Sequence, residues 1–296
     1  VVYYRNRQTG QIVERAAPWP RLERLACWER VEMTEQGAVG TVAAPSFTRR
    51  PIVWLSSPAH GRLAVSELVF AQRADLIRRL DEMGITAHAV IVADDENLEL
   101  AREHGFQTVE MGNAYLGRKT NAGFRYACVE GDADFVVALG SDDWLHASVF
   151  EKLPGPATII AGRKLAVVDL EHGRMRGTVI RHRYGVIPWI LPRFLLETRK
   201  FEPIKPEKRR GLDGSLVRGV TGPGRPRWLF HDPHELARVD FKTRWNITPY
   251  GQTVQLVGVG PEYTDPWRRL ADLYPAGLCE RVRETHERIA REPVSA

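Results

Sequence analysis

Phe135-Val136-Val137-Ala138-Leu139-Gly140-Ser141-Asp142-Asp143 is an apolar run closed by a glycine, a serine and two adjacent carboxylates. An unbroken apolar run of this length reads as a strand buried on both faces of a parallel sheet. Gly140 and Ser141 then turn the chain, and Asp142 and Asp143 are delivered to the carboxyl edge of that sheet. Open α/β sheets bind ligands at this edge. Paired carboxylates there suit a hard divalent cation, which in turn neutralises a diphosphate. The purely local alternative is a solvated turn with an Asp as N-cap of a helix starting near Trp144.

Working outward, strand and helix patterns alternate from Pro51 onward. Ile52-Val53-Trp54-Leu55 reads as a strand ending in Ser56-Ser57-Pro58. Leu63 to Met83 carries Leu68, Val69, Leu76, Ile77 and Leu80 at helical spacing and closes at Gly84. A second strand, Ala87 to Ala93, ends in Asp94-Asp95; a helix from Leu98 to His104 leads to a third strand, Thr108 to Met111. Asn121 to Glu130 reads as the next helix, and an amphipathic helix from Pro266 to Arg291 closes the chain. This alternation predicts a three-layer α/β domain with a mainly parallel sheet. Ser56, Asp94, Asp95, Asp142 and Asp143 all follow or end strands, so they are expected at one edge.

Composition agrees with an ordinary globular chain: 43% hydrophobic and 27% charged residues over 296 positions. No apolar stretch reaches the roughly 20 residues of a membrane span, and none reads as a signal peptide, so a cytoplasmic protein is expected. Cys27, Cys128 and Cys279 are scattered, with neither zinc nor disulfide spacing. The net charge of +5 favours an anionic ligand such as a nucleoside diphosphate. With no basic tail and no zinc module, no specific nucleic-acid partner is expected. No Gly-x-Gly-x-x-Gly follows the first strand and no Walker-type loop is present, which weakens the usual dinucleotide and ATPase readings.

Residues 1–48 stand apart as a small β-rich module and linker. Val2-Tyr3-Tyr4 and Gln11-Ile12-Val13 flank Gly10 as in a hairpin, and Leu22, Leu25 and Trp28 have helix-like or ordered-loop spacing ahead of the strand-like Val31. Gly37 to Ser46 is small and low in charge, as linkers are. The organisation expected is therefore a small docking module at 1–48 and a larger α/β domain at 49–296, divided into a ligand-binding half at 51–145 and a second half at 146–296.

Gly117-Arg118-Lys119-Thr120-Asn121-Ala122-Gly123-Phe124, followed by Phe135 to Asp143, resembles nucleotide-sugar-dependent glycosyltransferases of the Rossmann-like GT-A fold, above all the inverting family-2 group. The resemblance spans roughly residues 51–220. It implies an enzyme that moves a sugar from a nucleoside-diphosphate donor to an acceptor hydroxyl on a protein or glycan, with Mn²⁺ or Mg²⁺ as cofactor. It implies that Asp143 is a direct metal ligand, with Asp142 sharing the metal or facing the donor. It also implies that Asp94 or Asp95 binds the base, that Ser56 and Asn121 help to hold the donor, and that Arg118 and Lys119 reach the diphosphate. His231 is the expected late metal ligand, and Asp213, in Gly211-Leu212-Asp213-Gly214, the expected base, although Leu212 stands where the family carries a second acid. Residues 1–48 resemble small modules of actinobacteriophage structural proteins, which implies a phage-encoded enzyme that docks on phage structural proteins or the virion.

Two other classes stay open. A nucleotidyltransferase shares the layout, but Ser56-Ser57-Pro58-Ala59-His60-Gly61-Arg62 does not match the usual Gly-rich, Lys-containing loop. A non-catalytic scaffold or virion part built on the same fold is the other. Val239 to Asn246 matches no motif, although Lys242 or Arg244 could bind phosphate and Trp245 could stack on a sugar.

Overall fold

The computed structural model describes residues 2–6, 12–15, 28–31, 49–113, 115–153, 158–180, 186–209, 212–220, 226–246, 250–257 and 260–292. Strands β1 (Val2–Asn6), β2 (Ile12–Arg15) and β3 (Trp28–Val31) form an antiparallel sheet in the order β2-β1-β3. The expected hairpin is β1 with β2; its turn at Gly10, the positions of Leu22 and Leu25, and the linker at 37–46 lie outside the described residues.

The alternating part comprises β4 (Ile52–Pro58), α1 (Leu63–Glu82), β5 (Thr86–Ala93), α2 (Asn97–Glu103), β6 (Gln107–Glu110), α3 (Leu116–Val129) and β7 (Phe135–Ala138). Beyond it come β8 (Asp143–Leu145), a 3-10 turn (Ala147–Phe150), β9 (Thr158–Gly162), β10 (Lys164–Asp169), β11 (Arg174–Val179), β12 (Val186–Pro192), α4 (Arg193–Glu197) and α5 (Leu212–Val220). The chain continues through β13 (Arg227–Phe230), β14 (Arg238–Lys242), α6 (Tyr250–Val257), β15 (Glu262–Tyr263), α7 (Pro266–Leu270) and α8 (Ala276–Arg291). None of the described helices is long and apolar enough to cross a membrane.

A central sheet of seven strands has the order β13-β9-β12-β7-β4-β5-β6. Strands β4, β5, β6 and β7 run parallel, and β12 alone is antiparallel to its neighbours. Its residues alternate between two cores. Val53, Leu55, Ile91 and Val137 join Leu68, Val69 and Leu76 of α1 on one face; Trp54, Val90 and Val136 join Phe124 and Ala127 of α3 and Leu216 of α5 on the other. Two apolar faces, each covered by helices, make the expected three-layer α/β architecture with a mainly parallel sheet.

A second sheet, β15-β11-β10-β14-β8, was not anticipated. Asp143 to Leu145 is its edge strand and not the start of a helix, because Trp144 is buried against Phe241 and Tyr274, with ring centroids 4.9 Å away in both cases. Helix α3 begins at Leu116, earlier than expected. Its polar first turn looks like loop in sequence, yet Lys119, Thr120 and Asn121 are buried on specific partners. The expected final helix is two, α7 and α8, interrupted before Pro275, which occupies the N-cap of α8.

Candidate active site at the seam of two sheets

Chain entry into the second sheet places the acids. After β7 the backbone turns at Gly140 and Asp143 opens β8, so Asp142 and Asp143 sit where the two sheets separate. The Gly140 N–H donates to Asp143 Oδ2 at 2.6 Å. A Cβ on Gly140 would lie 2.7 Å from Asp143 Oδ2 and 2.8 Å from Asp142 Oδ1, so any larger residue there must displace the two carboxylates.

Across the antiparallel pair β8–β14, Asp240 stands opposite Asp143. Asp142, Asp143 and Asp240 each offer a carboxylate oxygen within 4.8 Å of the others. Asp240 lies in the segment that matched no motif, and sequence reasoning missed it as a site residue. The available signal was the alternation Asp240-x-Lys242 inside an apolar strand, which puts both charges on one strand face.

Cations surround the acids. Lys242 Nζ is 2.7 Å from Asp240 Oδ1 and 3.6 Å from Asp142 Oδ2. Arg62 Nη1 lies 3.4 Å from Asp142 Oδ2 while its Nη2 donates to Ser141 Oγ at 2.6 Å. Asn246 Nδ2 donates to the same Asp142 oxygen at 2.5 Å. Arg73, fully buried on α1, donates to the Gly140 carbonyl at 2.7 Å and to Ser57 Oγ at 3.1 Å from behind the turn. Arg62 and Gly61 are both left-handed, with φ of 49° and 55°. That costs a non-glycine residue about 1 kcal/mol or more and is a conformation found at ligand sites.

These contacts split the carboxyls. Burial alone would raise Asp142, but Lys242, Arg62 and Asn246 outweigh it and hold the group below its ordinary value. Burial, reinforced by the charges of Asp142 and Asp240, pushes Asp143 well above its ordinary value. Burial and Asp142 likewise push Asp240 up, to about 7, against the pull of Lys242. Burial lowers Arg73 to about 10 despite the nearby acids. Asp143 and Asp240, unlike Asp142, are thus short of compensating positive charge. The donor set, three hard oxygens converging within one coordination sphere, fits Mg²⁺ or Mn²⁺ better than a soft metal.

A second cluster lies at the ends of β4 and β5. Lys119 Nζ, completely buried, donates to Asp94 Oδ1 at 2.8 Å and to the Ala59 carbonyl at 3.2 Å. Burial would raise Asp94, but Lys119 and then His60 hold it below its ordinary value. Asp95 accepts from the N–H groups of Gly61 at 2.6 Å and Asn97 at 3.0 Å and from Asn97 Nδ2 at 2.7 Å, and these bonds overcome burial to lower it. Asp95 therefore ties the loop carrying Arg62 to the β5 end, while the Asp94 side chain stays partly exposed.

Other expected residues fall elsewhere. Asn121 joins α3 to the loop before α5, donating to the Ile204 carbonyl at 2.7 Å and accepting from the Ile204 N–H at 3.2 Å; both sides of its amide are occupied. Ser56 is buried under α3, where a Cβ on Gly123 would meet its Oγ at 2.2 Å. Lys119 is committed to Asp94, whereas Arg118 is exposed and lies over the Tyr115 ring. His231 faces the Ser148 carbonyl at 3.3 Å, outside the acidic group that gathers Asp142, Asp143 and Asp240. Asp213 is the second residue of α5, and its side chain lies outside the described part.

No protein-family model and no characterised protein sequence matches the chain. Solved structures do. One is TarS of S. aureus, 12% identical, with a TM-score of 0.46 over 64% of this chain and 60% of that one. The chain is similar in fold to glycosyltransferases and to a CTP transferase. The catalytic domain of Drosophila β1,4-galactosyltransferase 7 is 13% identical, with a TM-score of 0.41 over 63% of this chain and 67% of that one. The inositol-1-phosphate CTP transferase of T. maritima is 11% identical, with a TM-score of 0.42 over 80% and 98%.

Proposed function

We propose that this chain is a metal-dependent glycosyltransferase that moves a sugar from a nucleoside-diphosphate donor to an acceptor hydroxyl. The observation that carries this reading is the convergence of Asp142, Asp143 and Asp240 at the carboxyl edge of a parallel sheet, with no more than Lys242 and Arg62 at ion-pair distance from them among the described residues. Mn²⁺ or Mg²⁺ held by these three carboxylates would supply Lewis acidity to the departing diphosphate. Arg62, at the N-terminus of α1, presents a guanidinium and the helix dipole to the same anion. Lys242 is placed to follow the negative charge as it moves from sugar bond to leaving group. Asp94 and the loop held by Asp95 border the base-binding side, and Arg118 faces the diphosphate from the first turn of α3. Asp213 takes the acceptor proton as the new glycosidic bond forms. Residues 1–48 serve as a separate docking module.

Titration calorimetry tests the reading. UDP or GDP should bind in the presence of Mn²⁺ or Mg²⁺, and Asp143→Ala and Asp240→Ala should each abolish the metal-dependent part. Equal binding in excess chelator, or by both variants, sinks the assignment. Nucleotidyl transfer is the second reading, favoured by the left-handed Gly61-Arg62 loop directly after the first parallel strand. It requires CTP or another triphosphate to bind better than any nucleotide sugar.

A further inference from the structure

The segment between α4 and α5 carries six cations, Arg210 and the five described ones, Arg199, Lys200, Lys205, Lys208 and Arg209, against two acids, Glu202 and Glu207. None of these five cations, nor Arg118, forms an ion pair among the described residues. Elsewhere on the surface arginines are commonly paired, as Arg78 is with Asp75 and Glu82, Arg193 with Asp132 and Glu197, and Arg269 with Glu235 and Asp272. Arg102, Arg125, Arg227, Arg281, Lys152 and Lys164 also form no ion pair among the described residues, so what sets this segment apart is that its unpaired charge is concentrated. The Arg118 and Arg209 guanidiniums lie 5.0 and 5.3 Å from the centroid of one ring, that of Tyr115. Two cations gathered on one ring with no carboxylate repel each other unless an anion joins them.

This cationic ridge is built, not a floppy loop. The Gly117 N–H donates to the Lys208 carbonyl at 2.8 Å, the Lys205 N–H to Ser215 Oγ at 3.0 Å, and Asn121 grips Ile204 from both sides. Two glycines let the backbones meet: a Cβ on Gly117 would lie 2.3 Å from the Lys205 carbonyl oxygen, and one on Gly219 would lie 1.8 Å from that of Pro203. The ridge is therefore fixed to α3, which carries the Lys119–Asp94 pair, and to α5, which carries Asp213.

Resting on the transferase reading, we propose that the acceptor is an anionic carbohydrate chain, laid along this ridge so that one of its hydroxyls reaches Asp213. A donor diphosphate takes up Arg118 alone of these cations; it is otherwise matched to the three-carboxylate site and Arg62, and the five cations of the segment are left over. An uncharged glycan gives no use for five unpaired cations. Nucleic acid fits less well, because Tyr115 is engaged by guanidiniums in place of a base. A lipid surface fits less well too, since among the described residues the large exposed apolar ones, Leu63, Met83, Val129, Val179 and Trp245, lie outside the segment.

The test uses full-length protein and labelled carboxymethyl-dextran, with uncharged dextran, single-stranded DNA and phosphatidylglycerol vesicles alongside. Carboxymethyl-dextran should bind, dextran should not, and binding should weaken with salt. Lys205→Glu with Lys208→Glu should lower that affinity at least about tenfold while UDP and Mn²⁺ bind as in the wild type. Lys205→Gln with Lys208→Gln should give a smaller loss, and carries the test if charge reversal impairs folding. The proposal is overturned if carboxymethyl-dextran binds no better than dextran, if both double variants bind it normally, or if DNA or vesicles bind more tightly through the same lysines. Failure of the wild type to bind UDP with Mn²⁺ would instead sink the transferase reading, whatever the polymer does.

Discussion

Asp143 and Asp240 are cross-strand partners in the β8–β14 ladder, two buried carboxylates placed directly opposite each other. Like charges in that relation cost stability in an ordinary sheet. The arrangement is tolerable only with positive charge between or beside the pair, and Lys242 supplies part of it. Asp143→Asn should therefore raise the melting temperature of metal-free protein, by roughly 2–4 °C for about 1 kcal/mol. It should also remove the further rise that Mn²⁺ produces in the wild type. Thermal unfolding with and without Mn²⁺ reads both; a preserved Mn²⁺ effect would show that Asp143 is not a ligand.

Lys242 and a divalent cation compete for the same oxygens. Lys242→Met should bind Mn²⁺ in the absence of nucleotide at least tenfold more tightly than the wild type, about 1.4 kcal/mol. Lys242→Arg, which keeps the charge, should stay close to wild type. Equal Mn²⁺ affinity in all three proteins, measured from the free-ion electron paramagnetic resonance signal, would refute the competition.

The Lys119–Asp94 pair predicts an acid-sensitive joint between α3 and β5. Asp94→Asn leaves a completely buried ammonium without its counter-charge and should destabilise by about 2–3 kcal/mol, less than a wholly buried pair because Asp94 is partly exposed. Lys119→Met should cost less. Because the folded Asp94 carboxyl lies below its ordinary value, its contribution is complete above about pH 4 and is lost as the pH falls through the lowered folded value. Asp94→Asn should flatten that part of the stability profile. An unchanged acid limb in the variant would assign the pH dependence to other groups.

Gly140→Ala should abolish metal-dependent nucleotide binding, since the new methyl group meets both carboxylates at under 3 Å. Gly277→Ala in α8, with nothing within 4 Å of the added atom, is the control and should stabilise by about 0.5–1 kcal/mol. Normal binding by Gly140→Ala would mean that the turn relaxes without disturbing the acids.

Asp213→Asn should leave UDP and Mn²⁺ affinity unchanged while transfer falls about 10²–10⁴-fold, the usual worth of a general base. A residue acting only at the start of α5 would instead lower stability by about 1 kcal/mol or less with turnover preserved. Melting temperature and transfer rate on the same variant separate the two.

Much of the scaffold was legible because it rests on short-range pattern. The apolar run at 135–139 and its acidic end, the glycine stops after α1 and α2, and the alternation of strand and helix all follow from burial periodicity, and the α/β layers follow from them. The acids at Asp142 and Asp143 were legible for the same reason, since a strand carries its following residues to a known edge. What tertiary structure alone decided is which distant side chains meet them. Asp240 comes nearly a hundred residues later, on a strand of a second sheet, and Arg73 comes from the interior of a helix whose periodicity marks only its apolar face. Asn121 and Lys119 carry the converse lesson. Their types suggest ligand contacts, but Ile204 and Asp94 occupy their polar atoms, because a buried amide or ammonium must be satisfied wherever the chain folds back on it. Sequence local in the chain set the elements and the edge; long-range pairing of charges, which no local pattern encodes, set the site.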